Sequence, residues 1–212
     1  MELQALIAIG IFLVTYGLII AEKIHRTIVA MIVGVVMVAI GIVDQETAVH
    51  HIDFNTLGLL IGMMIIVSIT AETGLFKYVA LVAAKKAKGD PVRIMLSLAL
   101  LTAVGSAFLD NVTTVLLMVP VTFSITRQLR VNPVPFLITQ VLACNIGGAA
   151  TLIGDPPNIM IGSAVKELTF MACIVNLGPI IALIMAVHLP IFVWLYRKRI
   201  RTTDELRQSI MR

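Results

Sequence analysis

The sequence predicts an all-α integral membrane protein, with five membrane-crossing helices and one re-entrant hairpin, and three observations carry that prediction. The composition is 59% hydrophobic and 13% charged, with a mean hydropathy of +1.02, which excludes an ordinary soluble domain. Two apolar segments are much longer than one crossing, and each holds polar residues near its middle. The Lys and Arg residues are distributed so that one topology collects nearly all of them on one side.

Six apolar segments follow one another: Leu3 to Ala21, Thr27 to Val43, Asn55 to Ala71, Val92 to Thr126, Pro133 to Val165 and Phe170 to Tyr196. The first is preceded by Glu2, without a basic flank or a small-residue cleavage site, so it reads as a membrane helix rather than a signal peptide. The linker Glu22 to Arg26 carries Lys23 and Arg26, whereas Asp44 to Asp53 carries Asp44, Glu46 and Asp53 and no Lys or Arg. By the positive-inside rule the first linker is cytoplasmic, the second external and the N-terminus outside. His50 and His51 in the external loop lack metal-site spacing and read as solvated histidines.

The third segment is a plain span. Gly74 to Lys88 then mixes Leu75, Phe76, Val79 and Val82 with four lysines, a pattern suited to the cytoplasmic interface, and Gly89-Asp90-Pro91 forms a turn. The fourth segment, 92–126, has 35 residues where a crossing takes about 20, with Asp110-Asn111-Val112-Thr113-Thr114 near its centre. A carboxylate at membrane depth costs roughly 2.5–3.5 kcal/mol on insertion scales and faces protein or a wet cavity, so the segment reads as a hairpin with a polar tip. The hairpin returns Arg127 and Arg130 to the cytoplasm, leaving Lys166 as the one external basic residue among 16, whereas a single crossing splits them eight against eight.

The fifth segment spans 33 residues, about 50 Å as helix against a core of about 30 Å. Asn145-Ile146-Gly147-Gly148 is expected to loosen it and Gly154-Asp155-Pro156-Pro157-Asn158 to break it, since paired prolines remove donors and push their predecessor out of the helical region. Broken backbone at membrane depth must line a cavity or be buried in protein, and its half-helix ends direct partial charge there. The sixth segment has Gly178-Pro179 and Pro190 as expected kinks and His188 as either a packed residue or part of a proton path. Residues 197–212 form a basic cytoplasmic tail. Cys144 and Cys173 lie in apolar runs and read as packed thiols. The mild basic excess reports topology, not nucleic-acid binding.

Two polar interruptions at membrane depth are what an ion or substrate site requires. Asp110 and Asp155 offer hard oxygen ligands to sodium or carry a proton, and Asn111, Thr113, Thr114, Thr151 and Asn158 supply neutral donors and acceptors, aided by exposed backbone at Gly147, Gly148 and Gly154. Either aspartate could instead serve as a helix cap. A passive channel remains a rival. An intramembrane aspartyl protease is disfavoured, because Leu152-Ile153-Gly154-Asp155 lacks an earlier glycine and the prolines break the helix that would hold the second carboxylate.

Ser106-Ala107-Phe108-Leu109-Asp110-Asn111-Val112-Thr113-Thr114-Val115-Leu116-Leu117 and the string from Asn145 to Asn158 resemble the two signatures of the ArsB/NhaD/P protein group of the ion transporter superfamily. The resemblance implies a citrate-transporter-like fold of two inverted repeats, of which residues 1–212 are one. It also implies a dimeric, non-enzymatic secondary transporter in the plasma membrane; the charge pattern above puts its N-terminus outside and its C-terminus in the cytoplasm. The implied cargo is a small inorganic anion such as arsenite, or a small carboxylate, coupled to protons or sodium; sodium–proton exchange is the alternative. No other cofactor is implied. Family members are about twice this length, so a second repeat is expected as partner, with this chain a fragment, a split-gene half or a truncated frame. Sodium-coupled dicarboxylate carriers have Ser-Asn-Thr at the hairpin tip where this chain has Asp110-Asn111-Val112, which argues against a dicarboxylate and for a cation or proton at Asp110.

Overall fold

A computed structural model describes residues 2–165, 167–200 and 202–203. Lys166, expected outside, and most of the basic tail (Arg201 and 204–212) lie outside the described residues. Every regular element among the described residues is an α-helix, and five are long and apolar enough to cross a membrane: α1 (Glu2–Ile20), α4 (Phe54–Glu72), α6 (Pro91–Phe108), α7 (Asn111–Leu129) and α10 (Phe170–Tyr196). The chain divides into two compact units, residues 1–54 and 55–212, and each is described by itself.

In the first unit, α1 packs on α2 (Arg26–Ala39) and otherwise exposes apolar side chains such as Phe12 and Leu13, the surface a lipid-facing helix presents. The helix α2 stops short of Val43, where the apolar run ends. Gly41, at φ +76°, closes it in a Schellman turn, with the Ile42 N–H on the Met37 carbonyl and the Gly41 N–H on Val38. Asp44 then caps the short helix α3 (Gln45–His50), accepting from the Thr47 N–H at 2.9 Å and its hydroxyl at 2.7 Å. The exposed His50 and His51 rings stand edge to face, and no cluster of potential metal ligands occurs among the described residues.

In the second unit, α5 (Leu75–Lys86) runs from Gly74 to the left-handed pair Lys88 and Gly89. Asp90 starts α6, accepting from the Val92 and Arg93 amides at 2.9 and 3.0 Å, with Pro91 at the first helical position where its missing N–H costs nothing. Ala80 and Ala84, both fully buried, let α5 settle on Ile94, Met95 and Leu98 of α6 and on Met118, Ile125 and Leu129 of α7. Phe136 of α8 (Val134–Gly148) and Ile200 complete this core, and Thr202 donates to the Leu129 carbonyl at 2.8 Å. The basic residues Lys85, Lys86, Arg127 and Arg130 therefore flank one end of the unit.

The closest helix pair is α6 with α8. Ala99 and Ala103 on α6 face Ala143 and Gly147 on α8, two pairs of small residues four apart; a Cβ on Gly147 would stand 2.6 Å from both the Cα and the carbonyl carbon of Ala103. Small residues at such crossings let backbones touch where the bilayer gives little apolar driving force between helices. The helix α8 runs unbroken through Asn145-Ile146-Gly147-Gly148, the string expected to loosen it, because Gly147 and Gly148 are buried packing positions rather than exposed backbone. The chain leaves the helix at residues 149–155 and resumes as α9 (Pro156–Ala164). The helix α10 continues through Pro179 and Pro190; His188 stacks 4.5 Å from Phe192, with its Nε2 buried and unpartnered.

Candidate functional site

The helices α6 and α7 are joined by Leu109 and Asp110, both extended. Asp110, 9% exposed, is committed to starting α7: one carboxylate oxygen accepts from the Thr113 N–H at 2.9 Å, the other from the Thr113 hydroxyl, and its carbonyl accepts from Thr114 N–H at 3.0 Å. Thr114 is buried, with its hydroxyl unpartnered and its methyl turned to Gly105. It lines a cavity of about 510 Å³ between α5, α6 and α7, away from the polar cluster around Asn111.

Asn111, the first residue of α7, is the centre of that cluster. Its Oδ1 accepts from the Ser106 hydroxyl and, at 3.6 Å, from the Cys144 thiol, which also reaches the Asn111 carbonyl at 3.4 Å. Its Nδ2 donates to Asn145 Oδ1 at 3.3 Å and to a carboxylate oxygen of Asp155. Gly148 makes room for this amide, since a Cβ there would run into the Asn111 side chain and stand 3.0 Å from Ser106 Oγ.

The loop between α8 and α9 folds against the same place. A Cβ on Gly154 would meet Gly148 Cα and the Ser106 carbonyl oxygen, both at 2.7 Å. Thr151, 3% exposed, donates to the Ala107 carbonyl at the end of α6 and accepts from the Gly154 N–H at 3.2 Å, and Asn158 Nδ2 donates to the Thr151 carbonyl at 3.0 Å. These bonds satisfy much of the non-helical backbone internally.

Asp155 stands at the N-cap of α9 yet makes no capping bond. Pro156 and Pro157 remove the first two helical N–H groups, and the third, on Asn158, bonds the Asp155 backbone carbonyl at 3.0 Å. Its carboxylate is left free of capping and meets Asn111 instead.

Of the residues singled out from the sequence, Asn111, Gly148, Thr151, Gly154, Asp155 and Asn158 come together here. Asp110 and Thr113 sit beside them as a cap, Gly147 lies at the α6 crossing, and Thr114 points elsewhere. Three participants were not singled out: Ser106, Cys144 and Asn145. An amide and a hydroxyl next to a polar tip in an otherwise apolar run were signals that could have marked Asn145 and Ser106.

A family profile described as "Citrate transporter" matches residues 16–209, a stretch containing every residue of the cluster. The chain belongs to the citrate transporter family. Its relatives include an uncharacterized transporter of Mycobacterium tuberculosis, 45% identical over 91% of this chain and 46% of the relative. A 46 kDa membrane protein of Mycobacterium leprae is 42% identical over 98% of this chain and 49% of its own length. The human P protein is 46% identical over 76% of this chain and 20% of its own. The chain thus spans about half the length of the mycobacterial relatives it matches.

Proposed function

We propose that this chain is one inverted repeat of a secondary active transporter in the plasma membrane. In this reading α6–α7 is a re-entrant hairpin, α8–α9 a broken crossing, and the cluster where they meet the coupling-ion or substrate site. The observation that carries it is the Asp155 carboxylate: making no capping bond to its own helix, it is held by Asn111 at a break in membrane-embedded helix. The basic residues at one end of the second unit support a cytoplasmic placement of that end, with the N-terminus outside. Sidedness alone is compatible with two full crossings by α6 and α7, each about 27–29 Å long; the polar tip favours the hairpin.

Family resemblance supports a small inorganic anion such as arsenite, or a small carboxylate, as cargo, driven by protons or sodium. Sodium–proton antiport is a second reading. The hydrogen bonds of the cluster bring a carboxylate and amide oxygens together with no Lys, Arg or His among the described contacts, which suits a bound cation. A second repeat and a dimer complete the proposed assembly.

The test is growth of a host lacking its own exporters on arsenite, on citrate and in high sodium at alkaline pH. The chain is expressed alone or with the second half of a mycobacterial relative. Rescue in one condition by the pair, absent for Asp155→Asn, is expected. Rescue by the monomeric chain alone would overturn the half-transporter reading.

A further inference from the structure

Resting on the reading of this cluster as an ion site, we propose that the Asn111 side-chain amide is a two-position switch. It latches α7 to the broken helix without an ion, and it rotates by half a turn to become a ligand when a small monovalent cation binds between Asn111, Asn145 and Asp155.

An ionised carboxylate only accepts, and Asn145 presents its carbonyl oxygen, so the group facing both must donate. The Asn111 NH2 fills that position, and two oxygens therefore converge on its nitrogen from different elements, one from α8 and one from the start of α9. On the other side of the amide, the Asn111 oxygen faces Ser106 and Cys144. A hydroxyl donates or accepts, and a thiol does both weakly, so this second environment tolerates either end of the amide. The asymmetry is specific: one side demands a donor, the other has no preference.

A half-turn about the Cβ–Cγ bond exchanges oxygen and nitrogen with little change of shape. The NH2 then donates towards Ser106 and Cys144, and three oxygens, Asn111 Oδ1, Asn145 Oδ1 and Asp155 Oδ1, face one another. Three converging oxygens repel unless a cation lies among them, and hard cations take such oxygen ligands. One carboxylate with two neutral carbonyls carries a single negative charge, which matches a monovalent ion. Asn145 is exposed and provides the entry side, whereas Ser106 and Cys144 are buried. Gly148 is required in both positions, since any larger residue would fill the space the amide turns in.

Binding the ion therefore breaks the latch between α7 and α9 while creating a bridge through the same three residues. The test uses the purified full chain with sodium chloride titrated against choline chloride at constant ionic strength, reading thermal unfolding. The wild type is expected to gain several degrees in Tm. Asn145→Ala, which loses one ligand, should need about tenfold more sodium. Asn111→Leu, of similar size, should show no sodium response. Asn111→Asp places oxygens at both ends and removes the latch donor, so it should start less stable and gain more than the wild type.

A readout needing no change within the site is the reaction of Cys144 with a small methanethiosulfonate in a Cys173→Ser background. Rotation exchanges the acceptor facing the thiol for a donor, so sodium should change the labelling rate several-fold. An unchanged rate overturns the rotation. Loss of the sodium response in Asp155→Asn, with retention in Asn111→Leu, overturns the switch and leaves the carboxylate site standing. Retention in Asp155→Asn overturns the site itself, and no wild-type response to sodium, lithium or potassium overturns both.

Discussion

The Asn111 amide donates to the Asp155 carboxylate across 44 residues of sequence, so the first residue of α7 is tied to the residue that opens α9. Of the two aspartates at the polar interruptions, the one joined to a distant element is the one whose carboxylate makes no capping bond.

The two aspartates should separate by substitution. Asp110→Ala removes a satisfied N-cap and should cost about 0.5–2 kcal/mol of stability, whereas Asp110→Asn, which still caps, should stay near the wild type. Asp155→Asn should fold normally and lose ion dependence. Thermal unfolding with and without sodium checks both; ion dependence lost in Asp110→Asn and kept in Asp155→Asn would reverse the assignment.

Glycines should divide sharply by position. Gly147→Ala and Gly154→Ala force a Cβ into the backbone of Ala103 or of Gly148 and Ser106, and should destabilise by about 1–3 kcal/mol or more. Gly10→Ala and Gly17→Ala in α1 meet nothing within 4 Å and should be neutral or stabilising by up to about 1 kcal/mol. Melting temperatures of the four purified variants rank them.

Sidedness is open to direct labelling. In a background without Cys144 and Cys173, single cysteines at Arg93 and Arg127, at the two outer ends of the α6–α7 pair, should react with a membrane-impermeant thiol reagent only from the cytoplasmic side. Reaction of Arg127→Cys from outside would defeat the return of this pair.

The cap on α3 gives a pH dependence with a definite sign. The Thr47 hydroxyl and amide hold the Asp44 carboxyl below its ordinary value. A lowered folded-state value means that the cap contributes fully above the unfolded value, and that the contribution fades as pH falls through the folded one. The helix 45–50 should therefore fray in acid, followed through the Ala48 amide resonance, and Asp44→Asn should cap without that dependence.

Much of this arrangement could be read from residue types, because local chemistry fixes it. Gly89-Asp90-Pro91 announces the start of α6, and the paired prolines locate the start of α9. The direction a residue faces was harder to read. Thr113 and Thr114 look equivalent in sequence, but the first hydroxyl caps with Asp110 while the second is buried without a partner and its methyl faces Gly105. Gly147 and Gly148 suggest loose backbone, and only the approach of α6 makes them contact surfaces. The freedom of Asp155 was only partly legible, since the two prolines remove two amides but leave that of Asn158 within capping position. Its partner Asn111 depends on how α7 lies against α8, which local pattern does not specify.

The contact of Ala103 with Gly147 has a mechanical consequence. Backbones that touch without intervening side chains have no layer of rotamers to shear, so α6 and the first half of the interrupted segment must travel together as one lever. In the transport cycle proposed above, displacement would be confined to joints at either end of that lever, of which the non-helical stretch 149–155 lies nearest the polar cluster.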